Sequence, residues 1–339
     1  MRPALRNYET RAIPAFASEP YAPLLSDYHD STDEQTLSGA VKRHNSFARL
    51  KLITSGTSLR IGYVADFASN AWLTIFTNGA PQTVTLTADG SAHTVDVTLP
   101  SGSTKVIDIW EGPQFGYYEP SIQSGGVVTS LEVLDGQFYM MAATRPTRRV
   151  IVYGDSISQG YPVVPASSYI GLIRQSKFDG GISSYGSGGR SIYEDKTQQT
   201  LAVVASILSA GLALVQPGGR QDLLVAIGTN DWGQALDGGV ANYQTSVATL
   251  VDLVHTSAPS AKVHLVSPIV RSGEATPNAQ GNTLAQYRTA MSTVASTRGP
   301  WCTYHDASTV LTLGELSDGV HPNASGYATL ASYFAGLLA

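Results

Sequence analysis

The spacing of hydrophobic residues changes once along the chain, near Thr144-Arg145-Pro146, and that change restricts the folds open to it. From about Asn45 to Met141, short segments alternate polar and apolar residues: FARLKLI, SLRIGYVADF, AWLTIFTNG, QTVTLTADG, HTVDVTL, KVIDIWEG and VVTSLEVLDG. A period of two puts successive side chains on opposite faces of a strand, so these segments read as half-buried β-strands. Turn pairs such as Asn78-Gly79, Asp89-Gly90 and Asp135-Gly136 separate several of them, and no helix-length pattern intervenes. The expected first domain, residues 1–146, is an all-β sandwich of jelly-roll-like form.

Beyond the change, strands alternate with amphipathic helices. Val150 to Tyr153, Leu223 to Ile227 and Val263 to Val266 are short apolar runs of strand length. Tyr243, Val247, Leu250, Val251 and Val254 form one apolar stripe at helical spacing. Helices are also expected over Leu201 to Leu214, Leu284 to Val294 and Tyr327 to Leu338. This order predicts an α/β domain over residues 147–339, with a parallel sheet covered on both faces. Ligands of such sheets bind at the carboxyl ends of the strands.

Composition removes several classes of function. The 339 residues suffice for two domains, and no apolar run approaches the ~18 residues of a membrane span. Lys+Arg total 21 against Asp+Glu 26, a formal charge of −5, so no basic field favours nucleic acid or an anionic membrane. A single cysteine, Cys302, excludes an intrachain disulfide and a multi-cysteine metal site. The segment MRPALRNYETRAIPAFASEP lacks the apolar stretch of a secretory signal. Charged residues make up 14% of the chain, below the ~25% of average domains, which suits a secreted β-rich module, and localisation is left open.

The chemistry gathers in four short segments. The strand Val150 to Tyr153 runs into Gly154-Asp155-Ser156-Ile157-Ser158-Gln159-Gly160, which places Ser156 at a strand's carboxyl end. Taken alone, this is as readily a turn in which Asp155 or Ser156 caps a helix. It is not the G-x-S-x-G elbow, since Ser158 occupies the position of the second glycine. Gly186-Ser187-Gly188-Gly189-Arg190-Ser191 is either a flexible loop or a backbone N–H donor to an anion. It is no dinucleotide motif, because Ser191 stands where G-x-G-x-x-G needs its last glycine. Gly228-Thr229-Asn230-Asp231 follows the strand Leu223 to Ile227, where an Asn amide can donate to developing negative charge. Asp318-Gly319-Val320-His321 holds a carboxylate and an imidazole three residues apart, so that in a tight turn one can orient the other.

These four blocks, in this order, resemble those of the SGNH or GDSL-type hydrolases. The resemblance spans about residues 148–339 and implies a three-layer α/β/α, flavodoxin-like domain. It implies Ser156 as nucleophile, His321 as general base and acid, and Asp318 as the group orienting His321. The implied oxyanion hole is the N–H of Ser156 with Gly189 and Asn230. Gly189 is preferred to Gly188 because Gly-Arg-Ser after a short strand resembles the polysaccharide-ester branch of the family. Tyr185 stands where the second block often carries an Asn. The implied reaction is acyl transfer through an acyl-enzyme, with neither metal nor cofactor.

A β-sandwich before such a domain resembles certain two-domain carbohydrate esterases, which directs the expected substrate toward acetylated poly- or oligosaccharide. Asp155, Trp232 and Trp110 are expected at the substrate, with Trp232 equally open to a core reading. Trp110 to Tyr118 is the expected loop toward the site, and Pro162 to Ser168 and Arg271 to Asn282 are expected to set pocket depth. The alternatives are a lipase- or thioesterase-like enzyme on longer acyl chains, and a non-catalytic carbohydrate-binding or assembly protein. The remaining histidines read as structural: His29, His44 and His93 as surface or turn residues, His255 at a helix end and His264 on a strand. His305-Asp306 is a rival acid–base pair that lacks the family spacing. Asn323 is expected to cap the last helix, and Cys302 to act as a small buried hydrophobe. Oligomeric state is not read from these features.

Overall fold

Alternating Val, Ile, Leu and Thr give the first half of the chain antiparallel strands, as expected. In this computed structural model, residues 34–37, 40–43, 49–65, 71–87, 89–102, 104–111, 126–136, 138–140, 146–176, 181–186, 188–198, 200–235 and 238–339 are described. Contacts divide the chain into two units. A hairpin pairs β1 (Glu34–Leu37) with β2 (Ala40–Arg43). The strands that follow are β3 (Arg49–Thr54), β4 (Ser58–Ala65), β5 (Ala71–Thr77), β6 (Ala80–Leu86), β7 (Ala92–Thr98), β8 (Lys105–Glu111), β9 (Gly126–Val133) and β10 (Phe138–Met140). They build two antiparallel sheets, ordered β10-β3-β8-β5-β6 and β7-β4-β9. Leu52, Ile75, Ile107 and Ile109 of one sheet share a core with Leu59, Ile61, Val97 and Leu131 of the other. Asn78 and Gly79, both at positive φ, join β5 to β6, the backbone that a two-residue hairpin turn requires.

In the second unit, β11 (Arg148–Gly154), β12 (Ile182–Gly186), β13 (Arg220–Ala226), β14 (Lys262–Val266) and β15 (Cys302–His305) are all parallel, in the order β12-β11-β13-β14-β15. The order reverses at β11, so the connections after β11 and β13 leave the sheet in opposite directions. A crevice opens between such connections in doubly wound sheets. Gly154 lies in register with Gly186 and Ala226, which brings the three blocks that follow these strands to one level.

The connecting helices are α1 (Ser156–Gln159), α2 (Tyr169–Ser176), α3 (Ile192–Gln198), α4 (Leu201–Leu212), α5 (Thr229–Gly233), α6 (Gly239–Ser257), α7 (Leu284–Ser296) and α8 (Ala324–Leu337). Ile151, Tyr153, Leu223, Val225, Val263 and Leu265 pack on one face of the sheet with the buried stripes of α4, α6 and α7. On the other face, Ala226 and Val266 line a cavity of about 30 Å³ with Tyr169 of α2 and Leu330 and Phe334 of α8. Among the described residues, no helix is long and apolar enough to cross a membrane.

Sequence periodicity missed β1, β2, β10, β15, α2, α3 and α5. The pattern CTYH of β15 is buried only at Cys302, as suits an edge strand, and it offers no alternation to read. The helix expected over Leu201 to Leu214 ends at Leu212, where the Ala213 N–H turns back to the Ser209 carbonyl.

Candidate active site

The first block turns sharply out of β11. A Cβ on Gly154 would lie 2.1 Å from Ser158 Oγ, so only glycine lets the chain fold back this closely. Asp155 is the N-cap of α1, its Oδ1 accepting from the Ile157 N–H at 2.9 Å. Its carboxyl is buried, and burial pushes its pKa up to about 6 against the pull of that N–H and of His321. Ser156 is thereby left as the first helical residue, half-buried and not used as a cap.

The Ser156 hydroxyl meets His321 Nε2 at 2.8 Å, and His321 Nδ1 meets Asp318 Oδ2 at 2.7 Å. A carboxylate takes the Nδ1–H, which leaves Nε2 to accept from the serine O–H; the tautomer is assigned from these partners. Asp318 Oδ1 accepts from the N–H groups of Val320 (3.0 Å) and His321 (2.8 Å), so one oxygen shapes the turn while the other holds the ring. Burial acts to raise the Asp318 pKa, but the His321 backbone and ring hold it below its ordinary value. Tyr161 packs edge-on against the imidazole at 4.7 Å, and its carbonyl accepts from the Tyr327 hydroxyl of α8 at 2.6 Å. Sequence reasoning passed over Tyr161; its only signal was its position five residues after Ser156.

The second and third blocks are bonded to each other. Gly189 has φ +74°, a left-handed conformation that favours glycine, and its carbonyl accepts from Gln234 Nε2 at 3.1 Å. Asn230, half-buried in α5, donates from Nδ2 to the Arg190 carbonyl at 3.0 Å, which leaves its second amide N–H for another acceptor. Asp231 is buried and accepts from the Ile192 and Tyr193 N–H groups, 3.3 Å each, at the start of α3.

Burial pushes Asp231 up to about 7. A carboxyl with a higher pKa folded than unfolded binds its proton more tightly in the folded state, so stability falls as pH rises from about 4 to about 7. The stability of Asp231→Asn relative to wild type is therefore expected to improve as pH rises through that window. Denaturant titrations at a series of pH values check this, and a difference independent of pH refutes it.

Trp232 lies mainly in the core of this unit, its Nε1 donating to the Asn282 carbonyl at 2.9 Å and its ring 4.8 Å from the Arg271 guanidinium. It also borders a cleft of about 350 Å³ lined by Gln234, Thr276 and Asn278. The 271–282 loop is tied to the His321 turn by Ser272 N–H donating to the Gly319 carbonyl at 2.8 Å. Arg271 donates to the Thr229 carbonyl at 3.0 Å, next to Asn230. Trp110 lies on β8, but its side chain, like residues 112–118 of the expected loop, is outside the described residues. His29 and His44 are outside them too.

His305 and Asp306 go separate ways. His305 Nε2 meets His264 Nδ1 at 3.0 Å, whereas Asp306 Oδ1 accepts from the Ser267 hydroxyl at 3.1 Å. Burial pushes His305 down to about 4. Asn323 caps α8, its Oδ1 accepting from the Gly326 N–H at 3.0 Å, and Cys302 is buried, with its thiol pushed up to about 12 by burial.

Compared with known proteins, residues 152–329, just over half of the chain, match the GDSL-like lipase/acylhydrolase family. The chain belongs to that family. The stretch matched in this GDSL-like acylhydrolase runs from β11 into α8 and so contains all four blocks. No curated protein matches it by sequence. Among solved structures, it resembles a family two carbohydrate esterase from Clostridium thermocellum in complex with cellohexaose (13% identity, 86% of this chain and 92% of that one, TM-score 0.65). It also resembles an acetyl xylan esterase from the rumen bacterium Butyrivibrio proteoclasticus (12% identity, 86% and 89%, TM-score 0.62). A third is a salicylyl-acyltransferase from a tetracycline biosynthetic pathway (18% identity, 84% and 80%, TM-score 0.64). At these identities the likeness is one of fold, and its coverage extends into the β-rich first unit.

Proposed function

We propose that this acylhydrolase is a serine esterase working through Ser156, His321 and Asp318. The observation that carries the reading is the unbroken series of hydrogen bonds from Ser156 Oγ through both imidazole nitrogens to Asp318. Ser156 Oγ attacks the ester carbonyl as His321 Nε2 takes its proton. Asp318 keeps the ring oriented and stabilises the imidazolium. The carbonyl π electrons move to oxygen, where the N–H groups of Ser156 and Gly189 and the Asn230 amide receive the charge. Collapse of this intermediate breaks the ester C–O bond, and His321 returns the proton to the departing alcohol. Water then attacks the acyl-enzyme by the same route and releases the acid.

The substrate class we infer is O-acetylated poly- or oligosaccharide, supported by the carbohydrate esterases among the similar folds. Residues 1–146, read as a jelly-roll module, are the accessory part of such an enzyme. Asp155, buried as the cap of α1, places Ser156 rather than touching substrate.

Initial rates on 4-nitrophenyl esters from acetyl to decanoyl test the acyl preference. The expected order is fastest on acetyl, with Ser156→Ala inactive throughout. A preference for longer chains moves the enzyme to lipase-like substrates and overturns the acetyl reading. Equal inactivity of both proteins overturns the catalytic one in favour of a binding module.

A further inference from the structure

Directly after Gly189 the chain buries a cation. Arg190 is fully enclosed, its Nη1 donating to the Tyr185 carbonyl at 2.5 Å and its Nε 3.4 Å from Asp195 Oδ2. The guanidinium lies over the Tyr185 ring at 4.1 Å and the Tyr153 ring at 5.5 Å. The Tyr153 hydroxyl donates to the same Asp195 oxygen at 2.5 Å. One side chain thus joins β11 through Tyr153, β12 through Tyr185 and α3 through Asp195.

The backbone around it is also held by the third block and by Gln234 just beyond it. Asn230 donates to the Arg190 carbonyl, Gln234 donates to the Gly189 carbonyl, and Asp231 accepts the two N–H groups that open α3. Stability by itself is a weak reason to bury a charge. Desolvating an ion pair costs several kcal/mol, and well-packed apolar side chains of similar volume are often as stable or more so. What an Arg supplies that an apolar side chain cannot is direction: a planar fork whose donors and stacking face fix the backbone around it.

We propose that Arg190 is the positioning residue of the oxyanion loop: anchored by Asp195 and stacked on Tyr185, it holds the Gly189 N–H where negative charge develops on the substrate. The proposal rests on the reading of Gly189 and Asn230 as oxyanion donors and extends it to a residue that never touches substrate. Asn230 serves both sides, one amide N–H on the Arg190 carbonyl and the other for the oxyanion. The two residues should therefore be energetically coupled.

The test compares wild type, Arg190→Met, Arg190→Lys, Asn230→Ala and the Arg190→Met/Asn230→Ala double variant on 4-nitrophenyl acetate, with melting curves for each. The expected result for Arg190→Met is a kcat lowered about 100-fold, the size of losing one oxyanion donor, with KM little changed. Arg190→Lys, which keeps the charge but not the fork, should fall between Arg190→Met and wild type. The double variant should lose clearly less than the product of the single losses, because both act on one hole. A folded Arg190→Met with kcat near wild type, a loss carried by KM, or fully multiplicative losses each overturn the proposal. If Arg190→Met fails to fold, Arg190→Lys decides: reduced kcat at unchanged KM supports the role, and unchanged kcat overturns it. Wild type no faster than Ser156→Ala removes the esterase reading and this inference with it; an active wild type with an unimpaired Arg190→Met removes the inference alone.

Discussion

Ser156→Ala is expected to lower kcat on 4-nitrophenyl acetate by about 10⁴- to 10⁶-fold, the range seen when the nucleophile of a catalytic triad is deleted. The fold should survive it. Asp155 caps α1, so removing the Ser156 hydroxyl takes away one side-chain bond, the one to His321. Tyr161 still packs on the imidazole, and Asp318 still holds Nδ1. The residual rate would come from oxyanion stabilisation and substrate binding, which do not need the serine oxygen. Burst titration, steady-state kcat and a melting curve for the two proteins check this. A variant retaining about a tenth of the wild-type rate would show that another group makes the attack.

Asn230→Ala carries the second largest effect, an expected loss of about 100- to 1000-fold in kcat with little change in KM. An oxyanion donor acts on charge that exists only in the transition state, so its removal leaves ground-state binding in place. The upper part of that range is expected here. Alanine removes the donor proposed for the substrate and also the bond from Asn230 to the Arg190 carbonyl, which steadies the loop carrying Gly189. Steady-state kinetics over the acetyl to decanoyl series reads this as a loss common to all chain lengths. A variant with near-normal kcat would exclude Asn230 from the hole, and a loss that varies with acyl length would assign it to the acyl pocket.

Which parts were legible beforehand follows from how local each one is. The segments of period two became β3 to β9, and the apolar stripe from Tyr243 to Val254 became the buried side of α6, because backbone geometry alone sets those periods. Asp318 and His321 are three residues apart, so their contact closes within one turn and could be read from spacing. The Asn323 cap of α8 is local in the same way. Trp232 could not be resolved from sequence, since a tryptophan after a turn suits core and cleft alike, and the structure gives it both neighbours. Nothing in the spelling of Gly189-Arg190-Ser191 indicates that the arginine is fully buried; arginines are mostly exposed, and this one is enclosed only because Tyr153, Tyr185 and Asp195 arrive from three separate elements.

By itself, then, the sequence determined the two kinds of architecture, the order of the four blocks and the identity of the side chains proposed for acyl transfer. Each is a property of a few neighbouring residues. Tertiary structure alone decided that Ser156 meets His321 across 165 positions of chain, that β11 and β13 lie side by side at the point where the sheet reverses, and that Asp155 is buried as a cap. It also decided that Asn230 bonds the backbone of the loop it faces. These contacts depend on crossover connections and on packing summed over the whole domain. No short window of sequence encodes that sum, because the free energy that brings distant blocks together comes from burying the α4, α6 and α7 stripes against the sheet, not from the blocks themselves.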